Sequence, residues 1–177
     1  MTQTAREETP NPGSGVDARL ARHGGLSFME IPATDLRQSG VFYEQVLGFQ
    51  PVSVDEAGRY AFLRAPGSDN HHDVAFFTVG AEAGPPTEGR FVGLYHIAWE
   101  VTTIEDLAGL RARLREAGAL VGASDHGVSK SLYAKDPDGI EFEVMWSVPK
   151  EQWGEAEHGA VTQRLDLDAE VARYGSG

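Results

Sequence analysis

An internal repeat constrains the fold of this chain more than any other feature. A predicted strand, a helix and three further strands occur in that order twice along the 177 residues. In the first copy, hydrophobic periodicity and turn residues place these elements at 26–32, 35–47, 49–54, 60–64 and 72–79. Thr34 is positioned to cap the predicted helix, and Gly48 to end it.

The second copy repeats this order. Its predicted elements lie at 94–101, 104–117, 119–123, 129–134 and 140–146. Thr103 and Asp106 predict a capping box at the start of the helix, and Gly118 marks its end. In the strand before the helix, His96 alternates with apolar residues and shares its face with Glu100.

An offset of 68 residues aligns the two copies, setting Phe28 against His96 and Ala75 against Glu143. The repeat therefore predicts an α+β fold in which tandem βαβββ modules form paired curved mixed sheets around a cavity.

The predicted organisation has two modules between two flanking segments. The modules cover 24–80 and 93–147, and the loop 80–93 that joins them is of a length that is often functional or mobile. Residues 1–22 are polar and aperiodic, which predicts a mobile leader. Residues 148–177 are predicted to form a tail of one or two short helices.

Acidic residues outnumber basic ones by 27 to 15, which gives a formal net charge of −12. This charge argues against binding to nucleic acid or to an anionic membrane, because both attract clustered Lys and Arg. Lys130 and Lys135 are expected to be solvated. The first twenty residues lack the apolar stretch of a secretion signal, no apolar run approaches the roughly 18 residues that span a bilayer, and there is no cysteine. We therefore expect a cytoplasmic protein without disulfides or thiolate metal ligands.

His96 and Glu143 are the strongest candidates for a metal site. Each occupies the strand face opposite the apolar residues, and the first and last strands of one module can bring them together. An imidazole with a carboxylate suits iron(II), manganese(II) or zinc(II), and a carboxylate buried without a cation is costly. The alternatives, a hydrogen-bonded histidine and a solvated glutamate, stay open.

A longer pattern leads up to Glu143. His126 is followed by Tyr133 and then by the turn sequence DPDG at 136–139, in which proline fixes φ and glycine accepts a positive φ. This turn predicts a tight hairpin that places Tyr133 and Glu143 on neighbouring antiparallel strands. Such turns are common, so the pattern is specific only together with His96 and the repeat.

Three segments resemble the vicinal oxygen chelate superfamily, which contains glyoxalases, bleomycin-resistance proteins and extradiol dioxygenases. They are FYEQVLGF at 42–49, YHIAWEV at 95–101 and HGVSKSLYAKDPDGIEFE at 126–143. The likeness extends over about residues 24–147 and is closest to the catechol-type extradiol dioxygenases. It implies a metal, most often iron(II) with manganese(II) or zinc(II) as alternatives, held by two histidines and one glutamate.

The resemblance also implies roles for individual residues. His96 and Glu143 match two of the metal ligands. Tyr133 and His126 match residues that line the substrate, and His72 matches an acid–base histidine. We therefore expect His72, Tyr133 and His126 to be catalytic residues.

The remaining metal ligand departs from the resemblance. Its expected position is Phe28, and the other position that glyoxalase-like relatives use falls near Ala75, so neither side chain can bind a metal. Glu30 shares a strand face with Phe28 and is the predicted third ligand, ahead of His72 and His23. The alternative is that the site has no metal.

Three functions follow from these alternatives. The first is metal-dependent cleavage of a catechol or related aromatic diol, and the second is a glyoxalase-like isomerase or lyase reaction. The third is metal-free sequestration of an aromatic compound, for which the sequence offers Phe28, Phe76, Phe77, Tyr95 and Trp99. The alternative is that these five residues are ordinary core residues. The expected partners are a small aromatic molecule and a second copy of the chain.

Overall fold

The computed structural model describes residues 26–83 and 93–176. The predicted leader, His23 and most of the predicted loop between the modules therefore lie outside the described residues. Within the described ranges, no helix is long and apolar enough to cross a membrane.

The first module contains one helix and a four-stranded sheet. Its elements are β1 (Met29–Ala33), α1 (Leu36–Leu47), β2 (Gln50–Val54), β3 (Tyr60–Arg64) and β4 (Val74–Thr78). The strand order is β1-β4-β3-β2, with β1 parallel to β4 and the other neighbours antiparallel. The sheet is therefore mixed.

The second module repeats this topology. Its elements are β5 (Ile97–Glu100), α2 (Ile104–Glu116), β6 (Leu120–Asp125), β7 (Ser129–Lys135) and β8 (Glu141–Ser147). The strand order is β5-β8-β7-β6, with β5 parallel to β8, and β9 (Gln163–Arg164) pairs with the free edge of β6. Two mixed sheets with few helices confirm the predicted α+β fold.

The helix termini follow from local sequence with one exception. At α2, the Thr103 hydroxyl accepts a hydrogen bond from Asp106 N and the Asp106 carboxylate accepts one from Thr103 N, which is the predicted capping box. At α1, the cap is Asp35, whose carboxylate accepts a first-turn backbone N–H at 2.9 Å. The prediction of Thr34 as this cap is wrong, because Thr34 instead donates to Asp138 in the second module.

Both modules pack their helix-covered faces into one hydrophobic core. Tyr43 of α1 is fully buried against Phe76 of β4 and Phe142 of β8, with ring-centroid distances of 4.8 and 6.1 Å. Nearby, the Asp138 carboxylate accepts a hydrogen bond of 3.0 Å from Ser39 Oγ. The hairpin turn of the second module therefore closes over the start of α1.

The segment after β8 forms more than the short helices predicted for it. Two 3₁₀ turns, Lys150–Gln152 and Gly154–His158, precede β9 and α3 (Leu167–Tyr174). α3 packs Tyr174 on Trp146 of β8, with ring centroids 5.1 Å apart. The sequence analysis missed β9 because a two-residue strand has no measurable periodicity.

The strand registers reproduce the offset of 68 residues. Glu30 of β1 lies opposite Ala75 of β4, and Ala98 of β5 lies opposite Glu143 of β8. Phe28 lies two residues before Glu30, and His96 lies two residues before Ala98. Phe28 is therefore the first-module counterpart of His96.

The antiparallel neighbours of β4 and β8 add a second equivalence. Phe62 of β3 lies opposite Ala75, and Tyr133 of β7 lies opposite Glu143. Phe62 is therefore the first-module counterpart of Tyr133. An ungapped alignment at the offset of 68 misses this pair, because their sequence separation is 71.

Candidate functional site

Each sheet has one face in the core and an outer face turned away from it. In β5, Ile97 is buried in the core, whereas its neighbours His96 and Ala98 lie on the outer face. In β8, the core-facing Phe142 precedes Glu143, which lies on the same outer face as His96. Because side chains alternate between the two faces of a strand, His96 and Glu143 lie together on the outer face of the second sheet.

The structure brings His96 and Glu143 together. His96 Nε2 lies 3.0 Å from Glu143 Oε2, and the two side chains are 22% and 11% exposed. Tyr95 packs against His96 with ring centroids 4.9 Å apart. A carboxylate as buried as Glu143 needs a hydrogen bond or a cation, and here the imidazole supplies the partner.

A divalent metal fits this pair at two coordination positions. Two ligands at right angles, each about 2.1 Å from an ion, lie about 3 Å apart, which matches the separation of Nε2 and Oε2. A ligating histidine commonly donates its other ring N–H to an acceptor, and His96 Nδ1 has no such partner among the described residues. The pair therefore provides part of a metal site with one ring nitrogen left unsatisfied.

Glu30 does not join His96 and Glu143. It occupies an exposed position of β1, opposite Ala75. Across the described ranges, no group of three or more His, Cys, Asp or Glu side chains is arranged to hold a metal ion, so neither Glu30 nor His72 completes one. The three-ligand site that the resemblance implies is therefore not assembled in the part of the chain that the structure describes.

Tyr133 and His126 form a hydrogen-bonded pair. His126 Nδ1 donates to the Val161 carbonyl at 3.0 Å, because a carbonyl oxygen can only accept. In the neutral ring, Nε2 is then an acceptor, and it receives the Tyr133 O–H at 2.9 Å. Val161 belongs to the tail, so the tail orients the imidazole.

Tyr133 also connects this pair to His96. Its ring lies edge-on to the imidazole of His96, with centroids 5.8 Å apart. Burial raises the pKa of Tyr133 and the Glu143 carboxylate raises it further, so the hydroxyl keeps its proton at neutral pH. His126, Tyr133, His96 and Glu143 therefore form one continuous set of contacts, which we call the polar cluster.

His72 lies among aromatic rings of the first module. Its ring centroid is 4.7 Å from that of Phe28 and 4.8 Å from that of Phe62. Its Nδ1 lies 3.0 Å from Nδ1 of His71, whereas its Nε2 is buried with no hydrogen-bond partner among the described residues. The predicted acid–base histidine thus stands in an aromatic setting, with one ring nitrogen buried and unpartnered among the described residues.

The aromatic surface expected from the sequence is divided between two faces. Phe28 and Phe77 are 46% and 37% exposed. Phe76 is fully buried in the core and Trp99 packs on the core side, so for these two the alternative of an ordinary core residue holds. Phe62 was missed, although the alternation of buried and half-buried residues along β3 identifies it.

The sequence is similar to that of characterised dioxygenases. Residues 25–144 match the profile described as Glyoxalase/Bleomycin resistance protein/Dioxygenase superfamily. The catechol-2,3-dioxygenase of Bacillus subtilis (strain 168) is 31% identical over 153 residues, which are 85% of this chain and 52% of that protein. The manganese-dependent 2,3-dihydroxybiphenyl 1,2-dioxygenase of Geobacillus genomosp. 3 is 26% identical over 137 residues, 75% of this chain and 39% of that protein. The chain thus spans about half the length of these relatives or less.

Solved structures share the fold. A glyoxalase/dioxygenase from Nostoc punctiforme superposes with a TM-score of 0.62 at 19% identity, covering 76% of this chain and 100% of that one. A lactoylglutathione lyase from Agrobacterium tumefaciens gives a TM-score of 0.54 at 18% identity, covering 76% and 99%. With the profile match across both modules, the chain belongs to the Glyoxalase/Bleomycin resistance protein/Dioxygenase superfamily.

Proposed function

We propose that this chain binds a small aromatic diol beside a divalent metal and acts in oxidative ring cleavage of the extradiol type. The polar cluster is the observation that carries this proposal. It joins the imidazole–carboxylate pair of His96 and Glu143 to the hydrogen-bonded pair of Tyr133 and His126. By their names, two relatives are dioxygenases of catechol and of 2,3-dihydroxybiphenyl, which supports an aromatic diol as substrate.

His96 and Glu143 are the metal ligands in this proposal. An imidazole with a carboxylate suits iron(II) and manganese(II), and one relative is manganese-dependent by name. A cation beside the buried Glu143 would offset the cost of burying its charge. When bound, the ion would supply Lewis-acid charge to the diol oxygens.

Tyr133 and His126 form a proton relay in this proposal. The Tyr133 oxygen accepts a proton from a diol hydroxyl as its own O–H proton passes to His126 Nε2, which lies 2.9 Å away. His126 remains oriented during such a transfer, because its Nδ1–H stays bonded to Val161. His72, with an unpartnered Nε2, is the second acid–base group of the proposal.

Metal binding is the first test. Purified chain is incubated without oxygen with iron(II), manganese(II) or zinc(II), freed of excess ion and measured by elemental analysis. We expect about one metal per chain, and loss of that metal in His96→Ala, because the pair loses one of its two ligands. His158→Ala is the matched control, since this exposed histidine lies in the 154–158 turn.

Turnover is the second test. Oxygen uptake and the absorbance of ring-opened product are followed with catechol and with 2,3-dihydroxybiphenyl. Activity that depends on added metal and disappears in His96→Ala and Glu143→Gln supports the proposal. Metal retention without oxygen uptake on either diol would contradict it.

A second candidate function is binding of an aromatic compound without chemistry. It is favoured by Phe28 and Ala75, which occupy the first-module positions equivalent to His96 and Glu143 and offer no metal ligand. Recovery of the diol unchanged, together with binding that does not depend on metal, would favour this function over ring cleavage.

A further inference from the structure

A continuous row of aromatic rings covers the outer face of the first module. Ring centroids are 5.2 Å apart for Tyr60 and Phe62, 4.8 Å for Phe62 and His72, and 4.7 Å for His72 and Phe28. Phe77 packs against Phe62 at 6.1 Å. These five residues are called the aromatic row below.

Two members of the aromatic row stand at the first-module equivalents of polar-cluster positions. Phe28 corresponds to His96 and Phe62 corresponds to Tyr133. At the position equivalent to Glu143, the first module has a fully buried alanine. At these three positions the side chains of the first module are hydrocarbon, whereas those of the second module carry a nitrogen or an oxygen atom.

Two members of the aromatic row are exposed, and the other three are half-buried. Phe28 is 46% exposed and Phe77 is 37% exposed, whereas Ala61, Leu63 and Phe76 on the core side of the same strands are buried. Covering exposed apolar surface is favourable by roughly 25 cal/mol per Å². A contiguous exposed aromatic patch is typical of a binding surface, and aromatic rings favour other rings through offset or edge-on contacts.

We propose that the aromatic row of the first module binds the ring of an aromatic ligand, a role separate from the metal-binding role proposed for the second module. Phe28 is then a specificity-determining residue that contacts the ring, and not a vacant position in a metal site. His72 belongs to this row, and its buried Nε2 has no hydrogen-bond partner among the described residues. This inference rests on the proposed function only in taking the ligand to be aromatic, because the ring contacts require no metal.

The division of roles accounts for the mismatch between the resemblance and the structure. A metal ligand is absent at Phe28 and Ala75, yet both positions lie on an outer face suited to a planar apolar molecule. Ring affinity and metal affinity should therefore respond to different substitutions.

The test measures binding of 4-nitrocatechol to full-length chain treated with EDTA, by titration of the probe's absorbance. Phe28→Leu and Phe62→Leu keep an apolar side chain but remove a ring. We expect each to raise the dissociation constant about threefold to tenfold, the range of one lost aromatic contact. Tyr174→Leu is the matched control, because it removes a ring from the helix-covered side of the second sheet, and its dissociation constant should equal that of the wild type.

Metal content separates this inference from the proposed function. Phe28→Leu should retain as much manganese(II) as the wild type, whereas His96→Ala should lose manganese(II) and still bind the probe's ring. Weaker probe binding in Phe28→Leu and Phe62→Leu supports the inference even if the wild type holds no metal and cleaves no diol. Unchanged probe binding in both variants would overturn it, as would a wild type that binds no probe.

A measurement on the unaltered protein covers the case in which a variant does not fold. Nuclear Overhauser contacts from the ring protons of bound 4-nitrocatechol identify the side chains that touch it. Contacts to Phe28 and Phe62 are expected. Contacts only to residues outside the aromatic row would overturn the inference.

Discussion

The two modules have the same topology and the same strand register, but their outer faces carry opposite chemistry. In the second module, His96 and Glu143 approach to 3.0 Å. The equivalent positions in the first module are Phe28 and Ala75. Only the core-facing residues are constrained by the fold, because they must fill one shared core, so the outer faces are free to differ in function.

The loops between the third and fourth strands differ as well. In the first module, burial raises the pKa of Asp73, but hydrogen bonds from Ala65 N, Asn70 and Ser68 outweigh it and hold the pKa below its usual value. In the second, burial and the charge of Asp138 raise the pKa of Asp136 to about 6, despite hydrogen bonds from backbone N–H groups. One loop thus stabilises a charged carboxylate and the other favours a neutral one.

The largest expected effect comes from disrupting the hydrophobic core that the two modules share. Phe142 packs on Tyr43 across the module boundary, so Phe142→Ala should lower the free energy of unfolding by about 3–5 kcal/mol. Chemical denaturation, monitored by tryptophan fluorescence and by circular dichroism, should show a single transition in which both modules unfold together. Val121→Ala, at an exposed position, is the control. Two separate transitions would show that the modules do not share a cooperative core.

Giving the second module the side chains of the first should abolish the metal binding proposed for it. The double variant His96→Phe with Glu143→Ala loses both predicted ligands, and its affinity for manganese(II) should fall about 100-fold or more. Competition with a chelator measures this affinity, with Glu141→Ala as the neighbouring control. Unchanged affinity would show that the metal is bound elsewhere.

The Asp136 loop predicts a pH dependence of stability. Its pKa is about 6 in the folded chain and near 3.8 when unfolded, so the folded state binds more protons between these values. Its contribution is fully present below about pH 4 and is lost as the pH rises through about 6, a change of about 3 kcal/mol. Asp136→Asn cannot ionise and should flatten the unfolding free energy over this range. An equal slope in the variant would assign the pH dependence to other groups.

The smallest expected effect comes from giving the first module one polar group. Phe28→His places an imidazole at the position equivalent to His96. The added ligand should tighten manganese(II) binding about tenfold, which corresponds to about 1.4 kcal/mol of binding free energy. The same variant should weaken 4-nitrocatechol binding to the metal-free chain, because a smaller ring replaces phenyl. Tighter metal binding with unchanged probe binding would separate Phe28 from the ring contacts.

Much of the fold could be predicted from sequence because it depends on local interactions. The capping box of Thr103 and Asp106 is visible as a four-residue pattern, and Gly48 ends α1 with φ of 81°, which glycine adopts without strain. The repeat also placed Phe28 against His96, and the parallel strand registers reproduce that alignment.

Contacts between distant segments could not be predicted in this way. Lys130, expected to be solvated, is buried and pairs with Glu170 of α3 at 3.3 Å. The bond between His126 and Val161 likewise depends on where the tail packs. No periodicity connects residues so far apart in the chain.

The sequence by itself determined the two modules, their helices and strands, and the chemistry available in each, because periodicity and caps act over a few residues. Only the tertiary structure decided which of those groups meet. It brought His96 to Glu143 and His72 to Phe28, and within the described ranges it did not bring Glu30 into a three-ligand group with His96 and Glu143. The reason is that strand pairing sets which side chains face each other, and pairing depends on the packing of the whole core.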